Sequence, residues 1–173
     1  PLKAELARLH AQYRLYAEQL AALEAAYGEE IASSSSRVGE LRRRLETLKA
    51  VGPQSSRVLA AEVFAWRRFA NAKQVGAMSG LTPTPSQSGD IDREQGISKA
   101  GNRRVRGVMI ELGWMWLRWQ PDSVLSQWYR RRFAAGGRRL RRIGIVALAR
   151  KLLIALWRYV EFGELPPGAV LKG

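Results

Sequence analysis

The chain has 173 residues, of which 46% are hydrophobic, a size that suits one ordinary domain or a small domain with an extended helical element. It carries 29 Lys and Arg against 15 Asp and Glu, a net charge of +14, which favours a polyanionic partner: nucleic acid before an anionic membrane surface. Cysteine is absent, so disulfides, thiolate metal sites and thiol catalysis are excluded. The one histidine, His10, is predicted to be a solvated helix position, which leaves no residue for a histidine-based triad.

Residues 1–47 are predicted to form a coiled-coil assembly segment, because apolar residues there alternate spacings of four and three. Gly28 and the serines at 33–36 interrupt the rhythm, which resumes at Val38. Two helices joined near residues 28–36, pairing as an antiparallel hairpin, are the simplest interpretation, and one long helix is the alternative. In either case the seam needs a partner from the same chain or from another copy. The seam consists of Leu2, Leu6, Leu9, Tyr13, Tyr16, Leu20, Leu23 and Tyr27.

Residues 48–62 have the outline of a helix-hairpin-helix element: a hydrophobic helix end, a glycine turn and a second helix. Gly52 would let the turn approach a phosphate, and the next helix would offer free N–H groups to its oxygens. The second glycine of such hairpins is missing near Ala50, so a plain connector between helices is an equally open interpretation.

The rest of the chain, residues 48–173, is predicted to be a compact helical domain. Helices are expected at about 56–70, 73–79, 101–119, 122–133 and 141–162, with Asp122 or Ser123 as an N-cap. The last helix contains Arg150, Lys151 and Arg158, which favours the core over a membrane span. Residues 80–98, here the serine segment, are too rich in Gly, Pro and Ser for regular structure and are predicted to be a long loop. No convincing strand pattern appears, so the fold class is mostly α.

Ser88 is the candidate nucleophile, in a segment constrained by Pro83 and Pro85. Gly89 follows it and permits close approach of a bulky backbone. A serine needs activation or a strongly electrophilic target. Nearby cations make a phosphate more electrophilic, because they neutralise its oxygens as charge develops. The alternatives are that Ser88 makes only turn hydrogen bonds and that Ser86 is the reactive hydroxyl.

Cations crowd the first turns of the helix after the serine segment, where they oppose the helix dipole at a cost of up to about 1 kcal/mol each. A bound phosphate would reverse that cost, because N–H groups and cations would then point at one anion. A solvated basic face is the alternative. The predicted phosphate-binding residues here are Lys99, Asn102, Arg103, Arg104 and Arg106.

A second basic zone is predicted to grip a nucleic-acid backbone without specifying sequence. Residues 93–151 carry fifteen Lys and Arg against three acids, whereas residues 1–50 carry eight against seven. Tryptophans in the helices could stack on bases, but core packing is the stronger interpretation. The second zone comprises Arg130, Arg131, Arg132, Arg138, Arg139, Arg141 and Arg142, and the tryptophans are Trp114, Trp116, Trp119, Trp128 and Trp157.

Carboxylates are scarce near the serine segment. Asp90, Asp92 and Glu94 are predicted to be turn residues, because metal-dependent nucleases need acids that converge from rigid elements. We therefore predict no metal site in this chain.

Three blocks resemble a known family: Gly80-Leu81-Thr82-Pro83, Gln87-Ser88-Gly89, and Gly96-Ile97-Ser98-Lys99-Ala100-Gly101-Asn102-Arg103-Arg104. They are similar to the C-terminal transposase domain of the bridge-RNA-guided insertion-sequence recombinases, relatives of the pilin-gene invertases. The resemblance runs from about Leu48 to Trp157 and includes residues 147–153.

The resemblance implies that Ser88 attacks DNA and forms a phosphoserine intermediate. It also implies a composite active site with an N-terminal RuvC-like domain, whose acids would bind Mg²⁺, and a structured noncoding guide RNA that selects DNA by pairing. No acidic tetrad is visible in residues 1–47, and the chain begins at Pro1, so we expect a piece that lacks this domain. Such a piece is expected to bind nucleic acid without completing recombination.

The resulting prediction is a serine-recombining transposase domain that assembles as a dimer or tetramer through its coiled coil. DNA and the guide RNA are the expected partners, with no membrane, and the expected location is the bacterial cytoplasm at the nucleoid. A non-catalytic nucleic-acid-binding and oligomerisation module is the main alternative. A helical assembly protein with a basic tether is the third.

Overall fold

The computed structural model describes residues 2–33, 35–88 and 91–173, without the side chains of residues 30–33, 83–88 and 91–96. One pair of antiparallel strands interrupts an otherwise helical chain, so the predicted mostly α class is confirmed. The helices are α1 (Leu2–Ser33), α2 (Arg37–Glu46), α3 (Pro53–Leu59), α4 (Ala72–Met78), α5 (Arg103–Trp119), α6 (Val124–Tyr129) and α7 (Arg138–Phe162), and the strands are β1 (Pro83–Ser88) and β2 (Ile91–Ile97).

Helix α1 continues through Gly28, so the two predicted helices separate only after Ser33. Ser36 caps α2 by accepting a hydrogen bond from the Gly39 N–H at 3.2 Å. All side chains from residue 2 to residue 29, His10 included, are exposed, and the seam residues expose 40–70% of their surface. The last turns of α1 approach the rest of the chain: Leu20, Leu23 and Tyr27 line a pocket with residues of α2 and α3, and the Tyr27 ring lies 4.8 Å from the Arg57 guanidinium. Helices α1 and α2 therefore do not bury the seam between them.

In α2, where the heptad spacing resumes, the apolar residues enter the core of the compact domain instead of forming an exposed seam. Leu41, Leu45 and Leu48 are buried there, and α2 packs against α3 and α7. The core also contains Val58, Leu59, Val63, Phe64, Val75, Leu81, Val105, Met109, Leu112, Trp116, Leu152, Leu153, Leu156 and Trp157. The boundary predicted at residue 47 stays a prediction, but α2 packs with the second part of the chain.

The turn between α2 and α3 has its backbone groups paired with distant parts of the chain. Leu48 pairs with Leu171 in an isolated antiparallel bridge, and the Gln120 side-chain amide donates to the Lys49 carbonyl at 2.6 Å. Ala50 adopts a φ of +91°, the left-handed region that favours glycine. The helix–turn–helix outline is therefore present, and a phosphate-binding role for it stays a prediction.

Most of the predicted helices are confirmed, with shifted ends. Helix α3 continues into a π-helical segment, Ala60–Phe64, and α6 into another, Arg130–Ala134. Ser123, one of the two predicted caps, accepts a hydrogen bond from the Ser126 N–H and caps α6. Helix α7 begins at Arg138, three residues before the predicted start.

The prediction that residues 80–98 form an irregular loop was wrong. Strands β1 and β2 pair in antiparallel register, with Ser88 opposite Ile91 and Pro83 opposite Ile97. Both strands are edges, and the register shifts between Pro83 and Pro85, a place where proline's missing N–H is tolerated. Gly89 and Asp90 lie outside the described residues, but a Gly-Asp pair between two runs is a common hairpin signal.

The base of this hairpin is fixed between α4 and α5 by a close backbone approach. A Cβ added to Gly101 would lie 2.6 Å from the Gly80 nitrogen and would also overlap the Met78 carbonyl. Gly80 itself has a φ of +66°. Glycine is thus required at both positions for the strands to leave the core in this direction.

Candidate nucleic-acid interface

The hairpin base is anchored in the core and clamped by Arg106. Leu81 is buried, and the Ser98 N–H donates to the Thr82 carbonyl at 2.9 Å. The Arg106 guanidinium donates to the Ser79 carbonyl at 3.3 Å and to the Lys99 carbonyl at 3.2 Å. Arg106, predicted to bind phosphate, therefore holds the two ends of the serine segment together.

Ser88 is the last residue of β1, at the end of the hairpin away from this base. It lies five residues beyond Pro83, which at about 3.3 Å per strand residue is about 17 Å. Its side chain lies outside the described residues, as do those of Asp92 and Glu94. The structure thus places the candidate nucleophile and the cations of α5 at opposite ends of the hairpin rather than side by side.

Asn102 organises the first turn of α5. Its side-chain oxygen accepts hydrogen bonds from the N–H groups of Arg104 at 2.9 Å and Val105 at 3.2 Å. Its amide nitrogen donates to one carboxylate oxygen of Glu62 at 2.7 Å, and Arg104 pairs with the other oxygen at 2.9 Å. Two predicted phosphate ligands thus converge on a single anion, the Glu62 carboxylate.

The other two predicted residues of this cluster are available to a ligand. Lys99 and Arg103 are exposed and form no ion pair with any described residue. Lys99 also adopts a φ of +53° at the turn that joins the hairpin to α5. Lys99 and Arg103 therefore present their charge to solvent near the start of α5.

A groove of about 590 Å³ runs along one face of α7 and reaches the hairpin base. Leu81 and Ile97 form its hairpin side, and none of the lining residues that the structure describes is acidic. Two buried nitrogen or oxygen atoms near this region, Arg150 Nε and Thr82 Oγ1, lack a hydrogen-bond partner among the described residues. The face of α7 contributes four cations and four apolar residues: Arg139, Arg142, Arg150, Lys151, Ile143, Val146, Ala147 and Ile154.

The remaining cations of the second basic zone lie on the π-helical end of α6 and the start of α7. These two elements pack together where Phe133 meets Gly144, which has no room for a Cβ. Tyr129 lies buried in the same contact; burial raises the pKa of its hydroxyl, and the Arg141 guanidinium acts in the opposite direction. Arg130, Arg131, Arg138 and Arg139 are all exposed.

The tryptophans divide between core and surface. Trp116 and Trp157 are buried and Trp128 is half-buried, which agrees with the core interpretation, whereas Trp114 and Trp119 are exposed. The most exposed tryptophan is Trp66, at 63%.

Sequence reasoning missed Glu62 and the groove-forming cations Arg150 and Lys151. A signal for the groove exists, because Arg139, Arg142 and Arg150 follow the spacing of one helix face. Glu62 gives no local signal, since its partners are 40 residues away in the chain.

Fold and surface define a mostly α-helical domain in which two long helices, α5 and α7, begin with exposed cations and an antiparallel hairpin precedes α5. Residues 42–130, 89 of the 173 residues, match the profile of the family described as "Transposase IS116/IS110/IS902 family". The chain belongs to this family.

Two curated proteins illustrate the similarity. Over 129 residues, 74% of its length, the chain is 50% identical to "Putative transposase y4rJ" of Sinorhizobium fredii, and the match covers 32% of that protein. Over 106 residues, 61% of its length, it is 26% identical to the "Transposase for insertion sequence element IS1328" of Yersinia enterocolitica, covering 30% of that protein. The chain thus spans about a third of the length of these relatives.

Within the part of the chain that the structure describes, no helix has an apolar stretch that could span a bilayer. Within the same residues, no three His, Asp or Glu side chains converge as metal ligands.

Proposed function

We propose that this chain is the domain of a DNA transposase or recombinase in which Ser88 becomes covalently joined to DNA. Its family membership supports a role in transposition, and the observation that carries the role of Ser88 is its place at the free end of a hairpin anchored in the core. The Ser88 oxygen would form a bond to phosphorus and release its proton. The P–O bond to the departing strand would break, and that strand's oxygen would take up a proton.

The cations of α5 have a positioning role in this proposal. The strand from Pro83 to Ser88 is about 17 Å long, which equals about five base-pair steps of 3.4 Å. A cluster at the base of the hairpin would therefore contact the DNA backbone away from the reacting phosphate. Lys99 and Arg103 are free to do so, and Arg104 becomes available when phosphate replaces the Glu62 carboxylate. This replaces the sequence-based picture in which the same residues cradle the scissile phosphate.

The groove of α7 extends this grip. None of the described residues that line it is acidic, so a polyanion laid across it would neutralise the charge of its four cations. Arg130, Arg131 and Arg138 are proposed to add phosphate contacts beside it. Such contacts fix the position of the nucleic acid without reading its sequence.

The finer properties implied by the resemblance remain part of the proposal: a structured guide RNA, a RuvC-like domain and a homo-oligomer. Mg²⁺ would be held by the acids of that domain, since the described residues of this chain present no cluster of three ligands. The exposed seam of α1 supports oligomer formation, because water-exposed leucines at heptad spacing gain most from a second helix.

A second candidate function rests on the same exposed seam: a non-catalytic module that binds nucleic acid and oligomerises. It predicts salt-dependent binding and no covalent adduct.

The experiment that separates the two candidates uses the full-length protein with target DNA and guide RNA. Adducts are trapped by denaturation and resolved on a gel, for wild type, Ser88→Ala and Ser86→Ala. We expect an adduct with wild type and Ser86→Ala, none with Ser88→Ala, and unchanged DNA affinity in all three. An adduct that persists in Ser88→Ala would remove Ser88 from the chemistry.

A further inference from the structure

The segment after the π-helical end of α3 carries an exposed aromatic ring shortly beyond Glu62, the residue that contacts the first turn of α5. Trp66 lies four residues, about one helical turn, after Glu62, whose carboxylate holds Asn102 and Arg104. At 63% exposure Trp66 is the most exposed tryptophan of the described chain. An indole left in water in the free protein gains by stacking on a partner.

The surroundings of Trp66 are cationic. The Arg67 guanidinium lies 4.4 Å from the Trp66 ring centroid, and Arg67 and Arg68 line a shallow groove that reaches Met78. The Met78 carbonyl accepts a hydrogen bond from the Asn102 N–H at 3.1 Å, so this groove adjoins the start of α5. None of its described lining residues is acidic. A flat aromatic ring beside exposed guanidinium groups suits a nucleobase with its phosphate.

We infer that Trp66 and Arg67 form a stacking site for one unpaired nucleobase, beside the phosphate contacts of α5. This inference rests on the proposed function, because it adds a base contact to the proposed backbone grip. The Arg67 guanidinium covers one face of the indole, and the base would take the other. Because every base has a π-face, the site would favour single-stranded over paired nucleic acid without choosing a sequence.

Trp119 provides a matched control. It is also exposed, at 45%, and also has an arginine over its ring, Arg118 at 5.3 Å. It ends α5, whose 17 residues put it about 24 Å from the first turn. Comparing the Trp66 and Trp119 variants therefore distinguishes the effect of losing any exposed tryptophan from the effect of losing this site.

The test measures affinity of the whole chain for a twelve-nucleotide thymidine strand by fluorescence anisotropy. We expect Trp66→Ala to weaken binding about 5- to 150-fold and Trp66→Phe to weaken it less, with Trp119→Ala close to wild type. The slope of affinity against salt should not change, because the lost contact is uncharged. A strand of the same length with abasic sites should bind all variants alike, and a uridine strand shows whether RNA is accepted as DNA is.

Equal affinities of Trp66→Ala and Trp119→Ala for the thymidine strand would overturn the inference, as would failure of the wild-type chain to bind it. If Trp66→Ala binds the strand normally but sediments differently from wild type, Trp66 contacts another protein chain rather than a base. That result would also overturn the inference. None of these results alters the adduct measurement on Ser88. Melting temperatures should match among the variants, since both tryptophans are exposed.

Discussion

Glu62 is predicted to compete with nucleic acid for the first turn of α5, and Glu62→Gln tests this. Its carboxylate accepts from Asn102 at 2.7 Å and pairs with Arg104 at 2.9 Å. Arg104 is 60% exposed and Glu62 is 25% exposed, so the ion pair lies in a partly solvated setting. Such a pair contributes about 0.2–1 kcal/mol, which a phosphate must overcome to reach Arg104.

Removing the carboxylate charge should therefore tighten DNA binding about 1.4- to fivefold, the same free energy expressed as an affinity ratio. If Arg104 gains a phosphate contact, the slope of log affinity against log salt should steepen by up to about 0.9. Glu111→Gln is the matched control: Glu111 is an exposed α5 residue with the same charge and no ion pair among the described residues.

The assay is a titration of a fluorescent duplex at several salt concentrations, for wild type and both variants. Equal gains from Glu62→Gln and Glu111→Gln would show only a general charge effect and refute the competition. Weaker binding by Glu62→Gln would refute it too, since Glu62 would then be orienting the cluster for its ligand.

Three further predictions concern the scaffold. Ala50→Gly should raise the melting temperature by roughly 1–2 °C, because it removes a side chain that is strained at a φ of +91°. A lower melting temperature would show that Ala50 is not strained. Gly101→Ala should cost about 2–3 kcal/mol through backbone overlap, seen in chemical denaturation. Gly107→Ala, in open space on α5, should instead stabilise by up to about 1 kcal/mol; equal effects would refute the close approach. Leu9→Glu should lower the mass measured by light scattering, and Gln12→Glu, off the seam, should not; an unchanged mass would show that the seam does not assemble the protein.

The helices could be predicted because their signals are local. Asn102 and Ser123 cap the helices that they precede, and the apolar spacing of α5 and α7 matches their buried faces. The heptad rhythm also predicted helices on both sides of the serines. The heptad spacing could not show that the face with Leu41 and Leu45 enters the domain core. Spacing identifies the apolar face of a helix but not the element that packs against it.

The strands and the site geometry depended on long-range information. Pro83 and Pro85 argued against a strand, and only pairing with Ile97 and Glu94 shows how the register accommodates them. Proximity in sequence suggested that Ser88 adjoins the α5 cations, yet an antiparallel hairpin returns the chain to its base and leaves Ser88 at the other end.

The central claim, that Ser88 joins DNA covalently, is tested most directly by locating the bond. Full-length protein is reacted with target DNA and guide RNA, the DNA is trimmed to a nucleotide, and the protein is cleaved with trypsin. Residues 74–93 form one peptide containing Ser79, Ser86 and Ser88, which fragmentation in the mass spectrometer separates. We predict the nucleotide mass on Ser88; the same mass on Ser86, or on a peptide outside residues 74–93, would contradict the account.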